Sequence, residues 1–208
     1  DMEGSRGLGD VYKRQLISTA PNIFPEEDSL SALVCGSKSP LPHPTRAETC
    51  VMIKAGEETF IFDVGNKSID NLRNWRVPLN QLNSIFISHL HSDHIAELPE
   101  IHMWNWVGTG RQSKLKVYGP EGINQVLNGF TEAYSLDWKY RNDHHGDQFA
   151  PLKAAGFDGF EITDFSKPVY ESNGIVITAF LVDHKPIDPS LAFKIEYKGR
   201  SIVLSGDT

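Results

Sequence analysis

An α/β fold of two sheets with helices outside is the architecture that this chain of 208 residues predicts, and three observations carry it. Short β-like runs open from residue 30, segments of helical period are interspersed through the middle, and β-like runs return from residue 160. No linker or low-complexity stretch divides residues 16–208, which read as one domain. A hydrophobic fraction of 39% with 23% charged residues suits a globular chain with one substantial core, and no apolar run is long enough to cross a bilayer. The formal net charge of -7 argues against a broad basic surface for gripping nucleic acid, but leaves room for a local basic patch or bound metal ions to receive a phosphate.

Residues 1–15 have neither the apolar centre of a signal peptide nor a periodic pattern. They resemble a translated adaptor sequence and are expected to be a non-native or disordered lead. Residues 16–29, with Pro21, Pro25 and Glu26-Glu27-Asp28, read as an irregular lead-in. Residues 31–35, 49–54 and 58–64 are β-like, the last two joined by Ala55-Gly56-Glu57 as a hairpin turn. Cys35 and Cys50 lie in apolar contexts, so buried free thiols are expected rather than a disulfide. An amphipathic segment follows over 69–75, then an apolar strand over 84–88. A helix is expected over 96–107, a strand over 115–118 and a second helix over 122–134. The polar stretch 141–146 interrupts the pattern and reads as a solvated loop, taking His144 and His145 with it. Strand signals resume at 160–162, 169–170, 175–182, 191–197 and 201–204.

The chemistry concentrates at the end of the strand over 84–88, in His89-Leu90-His91-Ser92-Asp93-His94, where four of six side chains are nitrogen or oxygen donors suited to a divalent metal. Side chains alternate in an extended segment, which puts His89 and His91 on one side and leaves Asp93 and His94, in the following turn, to point elsewhere. Two adjacent metal ions are the natural consequence. Two further apolar strands end in donors, Phe180-Leu181-Val182-Asp183-His184 and Ile202-Val203-Leu204-Ser205-Gly206-Asp207, and a metal site needs such ligands to converge from separate strands. Trp104 and Trp106 read as core residues in the helix over 96–107, and His102 beside them is left outside the site.

His89-x-His91-x-Asp93-His94, with Asp63-x-Gly65 before it, His184 after it and Gly206-Asp207-Thr208 last, resembles the metallo-β-lactamase superfamily over residues 30–208. Gly36-Ser37-Lys38-Ser39-Pro40-Leu41-Pro42 with Arg46, and Ile95-Ala96-Glu97-Leu98-Pro99, are similar to its ribonuclease Z and arylsulfatase-like branch. The resemblance implies a four-layer αββα sandwich and two divalent metal ions, usually Zn2+. It gives His89, His91 and His184 to one ion, Asp93 and His94 to the other, and Asp207 as the bridge. Asp63 matches an acidic residue whose role would be to accept a ligand imidazole's other N–H; the competing reading is a turn cap at the strand end. The superfamily places a further histidine ligand beyond Gly-Asp-Thr, so the chain is expected to be incomplete at its C-terminus, with a weaker second metal site and exposed apolar surface.

A water shared by two divalent cations is deprotonated near neutral pH, so hydrolysis is the expected reaction, with Asp93 orienting the nucleophile and shuttling its proton. The expected substrate is a small-molecule or nucleotide ester, a phosphodiester first, with lactones, β-lactams and aryl sulfates as alternatives. A di-iron redox member and a non-catalytic binding module are more distant readings. Ribonuclease Z enzymes that process tRNA use a protruding arm rich in glycine and basic residues, and residues 111–180 show no clear counterpart, so tRNA is not favoured. No membrane partner is expected, a homodimer is left open, and a cytoplasmic location is favoured over a periplasmic or secreted one.

Overall fold

The computed structural model describes Phe24 and residues 28–208; the expected lead over residues 1–15 and most of the lead-in lie outside the described residues. Strands β1 (Leu30–Gly36), β2 (Cys50–Ala55), β3 (Glu58–Phe62), β4 (Leu82–Phe86), β5 (Leu115–Gly119) and β6 (Phe157–Glu161) form a six-stranded sheet in that order. The first three pair antiparallel, β1 to β2 across the loop 37–49 and β2 to β3 through a tight turn, and β3 to β6 run parallel. Parallel neighbours need crossovers, which α1 (Ser68–Asn74), α2 (Ser92–Ile95), α3 (Leu98–Met103) and α4 (Ile123–His145) supply. The second sheet has the order β10-β9-β8-β7, from β7 (Tyr170–Ser172), β8 (Ile175–His184), β9 (Ile187–Tyr197) and β10 (Arg200–Leu204), all antiparallel.

Strand alternation divides the core in two. One cluster, including Met52, Ile61, Ile85, Ile87 and Val117, joins the helices to one face of the six-stranded sheet. The other packs Ile53, Phe60, Phe62 and Phe86 against Ile177, Ala179, Phe193 and Ile195 of the second sheet. On this face of the sheet, register aligns Phe62, Phe86, Tyr118 and the exposed Phe160 across four parallel strands, with ring centroids 5.0, 4.9 and 4.8 Å apart. Of the expected four-layer αββα sandwich, the described residues form a helical layer and the two sheets; on the outer face of the second sheet Phe180 and Val203 are exposed.

Three expectations need correction. Cys35 and Cys50 are buried as expected but form a disulfide, because the β1–β2 register shifts between Val34 and Gly36 and brings their Cα atoms to 5.0 Å. The polar stretch 141–146 is not a loop: α4 continues through His145 to Gly146. Its solvated end is held by the i,i+4 ion pairs Asp137–Arg141 (2.9 Å) and Lys139–Asp143 (2.6 Å), and His144 and His145 are exposed in the last turn. The helix expected over 96–107 begins only at Leu98, as α3 with Pro99 near its start, and passes into a π-helical turn (Trp104–Gly108), while Ser92–Ile95 forms the separate short α2. In that turn the Asn105 side-chain Nδ2 donates to the Leu79 carbonyl (2.7 Å), and the Thr109 hydroxyl donates to the Asn105 carbonyl (2.5 Å), giving that carbonyl a partner outside the regular ladder.

The cross-link closes a loop between residues 35 and 50, so a Cys35→Ser/Cys50→Ser variant is expected to lose about 3 kcal/mol of unfolding free energy in urea melts. His102 sits among Trp106, Trp138 and Phe157 and accepts the Gly156 N–H at 2.8 Å; burial pushes its imidazole from the ordinary 6.5 down to about 4. The folded chain therefore binds one proton fewer than the unfolded chain between these values, and this contribution, complete above pH 6.5, fades as pH falls toward 4. From pH 6.5 to 5 the stability advantage of the native chain over His102→Gln should shrink by about 2 kcal/mol, measured by paired urea melts.

Candidate metal centre

Parallel pairing brings the C-terminal ends of β3, β4 and β5 to one edge of the sheet, the edge where α/β folds place ligands. Beyond β4, Ile87 donates its N–H to the Tyr118 carbonyl (2.8 Å), and the Ser88 carbonyl accepts the Leu191 N–H (2.9 Å). The second bond joins the histidine motif to β9 of the other sheet. Because β8 and β10 both pair antiparallel with β9, their C-terminal ends arrive at the same edge.

Two backbone features aim the downstream donors. Ile175, Ile177 and Ala179 face the core, so strict alternation would turn His184 outward; a register shift between Val182 and His184 brings it back. Gly206 has φ +62, and a Cβ there would lie 2.6 Å from the Leu191 carbonyl oxygen and 3.2 Å from Ser88 Cβ, so glycine alone lets the chain turn tightly enough to present Asp207.

The ligand atoms of His89, His91 and His184 all lie within 4.8 Å of one another, as do those of His89, His94 and Asp207. His89 Nε2 and His91 Nδ1 are 3.0 Å apart, and Asp93 Oδ2 and Asp207 Oδ2 each stand 3.7 Å from His94 Nε2. Four tetrahedral ligands around zinc place their donor atoms about 3.3 Å from each other, so the spacing suits a cation. Among the described residues, the buried His94 Nε2 and His184 Nε2 have no hydrogen-bond partner. Two orphaned imidazole nitrogens in a cluster of four histidines and two aspartates fit divalent metal ions. Asp93 is buried, whereas His91 is exposed and the Asp207 side chain keeps 47% of its surface accessible, so the cluster opens to solvent.

Asp63 underlies the motif in the left-handed region (φ 58), an unusual conformation for a residue with a Cβ. Its Oδ1 accepts the Ser88 N–H (2.8 Å); its Oδ2 accepts the Ser88 hydroxyl (2.8 Å) and His94 Nδ1–H (2.9 Å). The carboxylate thus contacts an imidazole of the cluster directly and the Ser88 hydroxyl beside it. Burial alone would lower His94, but the Asp63 hydrogen bond and the charges of Asp63, Asp93 and Asp207 raise it above the ordinary imidazole range. Burial and the neighbouring His94 push His89 down to about 4.

The sequence reading assigned no role to three supporting residues, although Glu97 stood in one of its motifs. Ser88 is buried, with its hydroxyl oxygen 3.1 Å from His89 Nδ1; a small hydroxyl residue at a buried strand end next to the first histidine was the available signal. Glu97 caps α1 from a distance, accepting the N–H groups of Lys67 and Ile69. Glu48 pairs with Lys38 (2.7 Å) and accepts the Asn66 N–H (2.9 Å), while Gly65 passes so close to the motif that a Cβ would lie 2.1 Å from the Asp93 carbonyl oxygen. Trp104, Trp106 and His102 are core residues as expected. His144 lies about 33 Å along α4 from Gly122, which packs beside Leu90, so neither terminal histidine reaches over the cluster.

Residues 33–208 match the family model described as anti-Pycsar protein Apyc1. Ribonuclease Z of Mycobacterium marinum is 34% identical over 175 residues, covering 83% of this chain and 61% of the relative, and that of Mycobacterium bovis is 32% identical over 182 residues, covering 86% and 63%. The chain thus spans less than two thirds of the length of these relatives. Human tRNase Z, short form, superposes with a TM-score of 0.64 at 21% identity over 85% of this chain and 68% of that one. The metallo-β-lactamase fold protein YhfI of Bacillus subtilis gives 0.63 at 18% identity over 87% and 64%. At these identities the structures speak to fold, and the ribonuclease Z-like resemblance read from the motifs agrees with the sequence relatives. Joined to a family match that covers both sheets and every clustered donor, these likenesses mean that the chain has the metallo-β-lactamase fold and belongs to the family described as anti-Pycsar protein Apyc1.

Proposed function

We propose that the chain acts as a dinuclear zinc-dependent hydrolase of phosphodiesters, with a nucleotide or RNA ester as substrate. The observation that carries this reading is the convergence of His89, His91, His94, His184 and Asp207, with two buried imidazole nitrogens left unpaired. His89, His91 and His184 would hold one ion, Asp93 and His94 the other, and Asp207 would reach both. Bound divalent ions supply Lewis acidity toward a phosphoryl oxygen and lower the pKa of a coordinated water. Asp93, buried beside His94 Nε2, holds and moves the proton of the attacking water. The Asp63 and Ser88 hydrogen bonds keep the imidazoles in place, and the exposed sides of His91 and Asp207 admit the substrate.

The relatives named ribonuclease Z favour a phosphodiester over a β-lactam, lactone or aryl sulfate. A small nucleotide ester is favoured over tRNA, because residues 111–180 show no clear counterpart of an arm rich in glycine and basic residues.

Bis-p-nitrophenyl phosphate, a short RNA, a precursor tRNA, nitrocefin, an aryl sulfate and a lactone form the deciding panel. Hydrolysis of the phosphodiesters, abolished by chelation and restored by zinc, is expected; turnover confined to nitrocefin, sulfate or lactone would contradict the proposal. Asp93→Asn should lower kcat by about 10²–10⁴-fold on the same substrates. Because the surrounding carboxylates raise His94, protons compete for its Nε2 from above the ordinary 6.5 downward, whereas His89 competes only near 4. Zinc affinity on the His94 side should therefore fall as pH drops through neutrality, measured by chelator competition at pH 8 and pH 6.

A further inference from the structure

Ser88 sits where the protons of the cluster have to be distributed. Its side chain is buried, its oxygen is 2.8 Å from Asp63 Oδ2, 3.1 Å from His89 Nδ1 and 3.2 Å from His94 Nδ1, and its N–H is committed to Asp63 Oδ1. An ionised carboxylate only accepts, and a hydroxyl has one proton to give. The Ser88 hydroxyl therefore donates to Asp63, and its lone pairs are left to accept. His94 Nδ1–H has the carboxylate as its nearer and charged acceptor, at 2.9 Å. His89 Nδ1–H is then the donor that Ser88 receives.

His89 has a competing arrangement. Its Nε2 lies 3.0 Å from His91 Nδ1, so the other tautomer, with the proton on Nε2, would bond the two rings together. That bond would consume both nitrogens these residues offer to a metal ion. The two networks exclude each other, and the direction of the Ser88 hydroxyl selects between them.

We propose that Ser88 is a positioning residue that relays Asp63 to His89, holding His89 in the Nδ1–H tautomer with its Nε2 lone pair free for metal. One carboxylate thereby orients two imidazoles of the cluster, His94 directly and His89 through a single hydroxyl. The relay explains why Asp63 is held by two bonds from Ser88 in a backbone conformation few side chains adopt, and why Gly206 must pass close to Ser88 Cβ without a side chain of its own. The inference rests on the metal-centre reading for its consequence, but its tautomer prediction concerns the metal-free protein.

The test is long-range 1H–15N correlation of the histidine rings in metal-free protein, with His89 assigned by its loss in His89→Gln, followed by zinc competition titration of the same samples. The native chain should show Nδ1–H at both His89 and His94. Ser88→Ala should release His89 toward Nε2–H, leave His94 unchanged and weaken zinc binding about 10- to 100-fold; Ser88→Thr, which keeps the hydroxyl, should restore both readings. Asp63→Asn should switch both rings, because an amide NH2 facing Ser88 and His94 reverses the direction of donation. Circular dichroism of each variant separates these effects from loss of fold. An unchanged His89 tautomer in folded Ser88→Ala would overturn the relay, as would failure of folded Ser88→Thr to restore it. A native chain that shows the expected tautomers yet binds no zinc would overturn the metal-centre reading while leaving the relay standing.

Discussion

The buried carboxylate of Asp63 is the interaction on which the rest of this centre depends. Accepting bonds from the Ser88 backbone, the Ser88 hydroxyl and His94, it fixes the start of the histidine motif relative to the end of β3. A buried carboxylate costs several kcal/mol to desolvate unless its lone pairs are used, and here the partners that stabilise it are parts of the site. The left-handed backbone at Asp63 belongs to the same device, since it turns the side chain under the loop while Asp63 N–H still donates to the Phe86 carbonyl at 2.9 Å.

Around that anchor the two sheets contribute differently. The parallel half of the first sheet supplies a rigid, fully buried strand end, with Ile85, Phe86 and Ile87 inaccessible to solvent, so His89 begins from a fixed position. The second sheet supplies His184 and Asp207 from strands that flank β9, and the Leu191 N–H to Ser88 carbonyl bond sets the distance between the halves. Electrostatics then divides the cluster. His89 is held neutral by burial, whereas His94 is surrounded by three carboxylates, so the two sides respond to protons in different pH ranges.

Much of this was legible from residue types and spacing. The motif, the apolar strand before it and the two later strands ending in donors identify the converging edge, because period-2 alternation and strand ends survive any reasonable packing. What escaped depends on register or on partners distant in sequence. A single extra residue in β1 sets Cys35 against Cys50, and a shift near Val182 re-aims His184; neither has a compositional signature. The polar end of α4 was misread because its ion pairs lie on a solvated surface, where apolar periodicity carries no signal. Ser88 was passed over for a related reason, since its importance lies in which proton goes where, a property of three-dimensional neighbours.

The central claim, that imidazole nitrogens at this strand edge form a metal centre, is tested most directly by zinc K-edge X-ray absorption on the zinc-loaded protein. The account predicts a nitrogen and oxygen shell at about 2.0–2.1 Å with the multiple scattering of several imidazoles. A shell dominated by sulfur at about 2.3 Å, or one of oxygen alone without imidazole scattering, would contradict it.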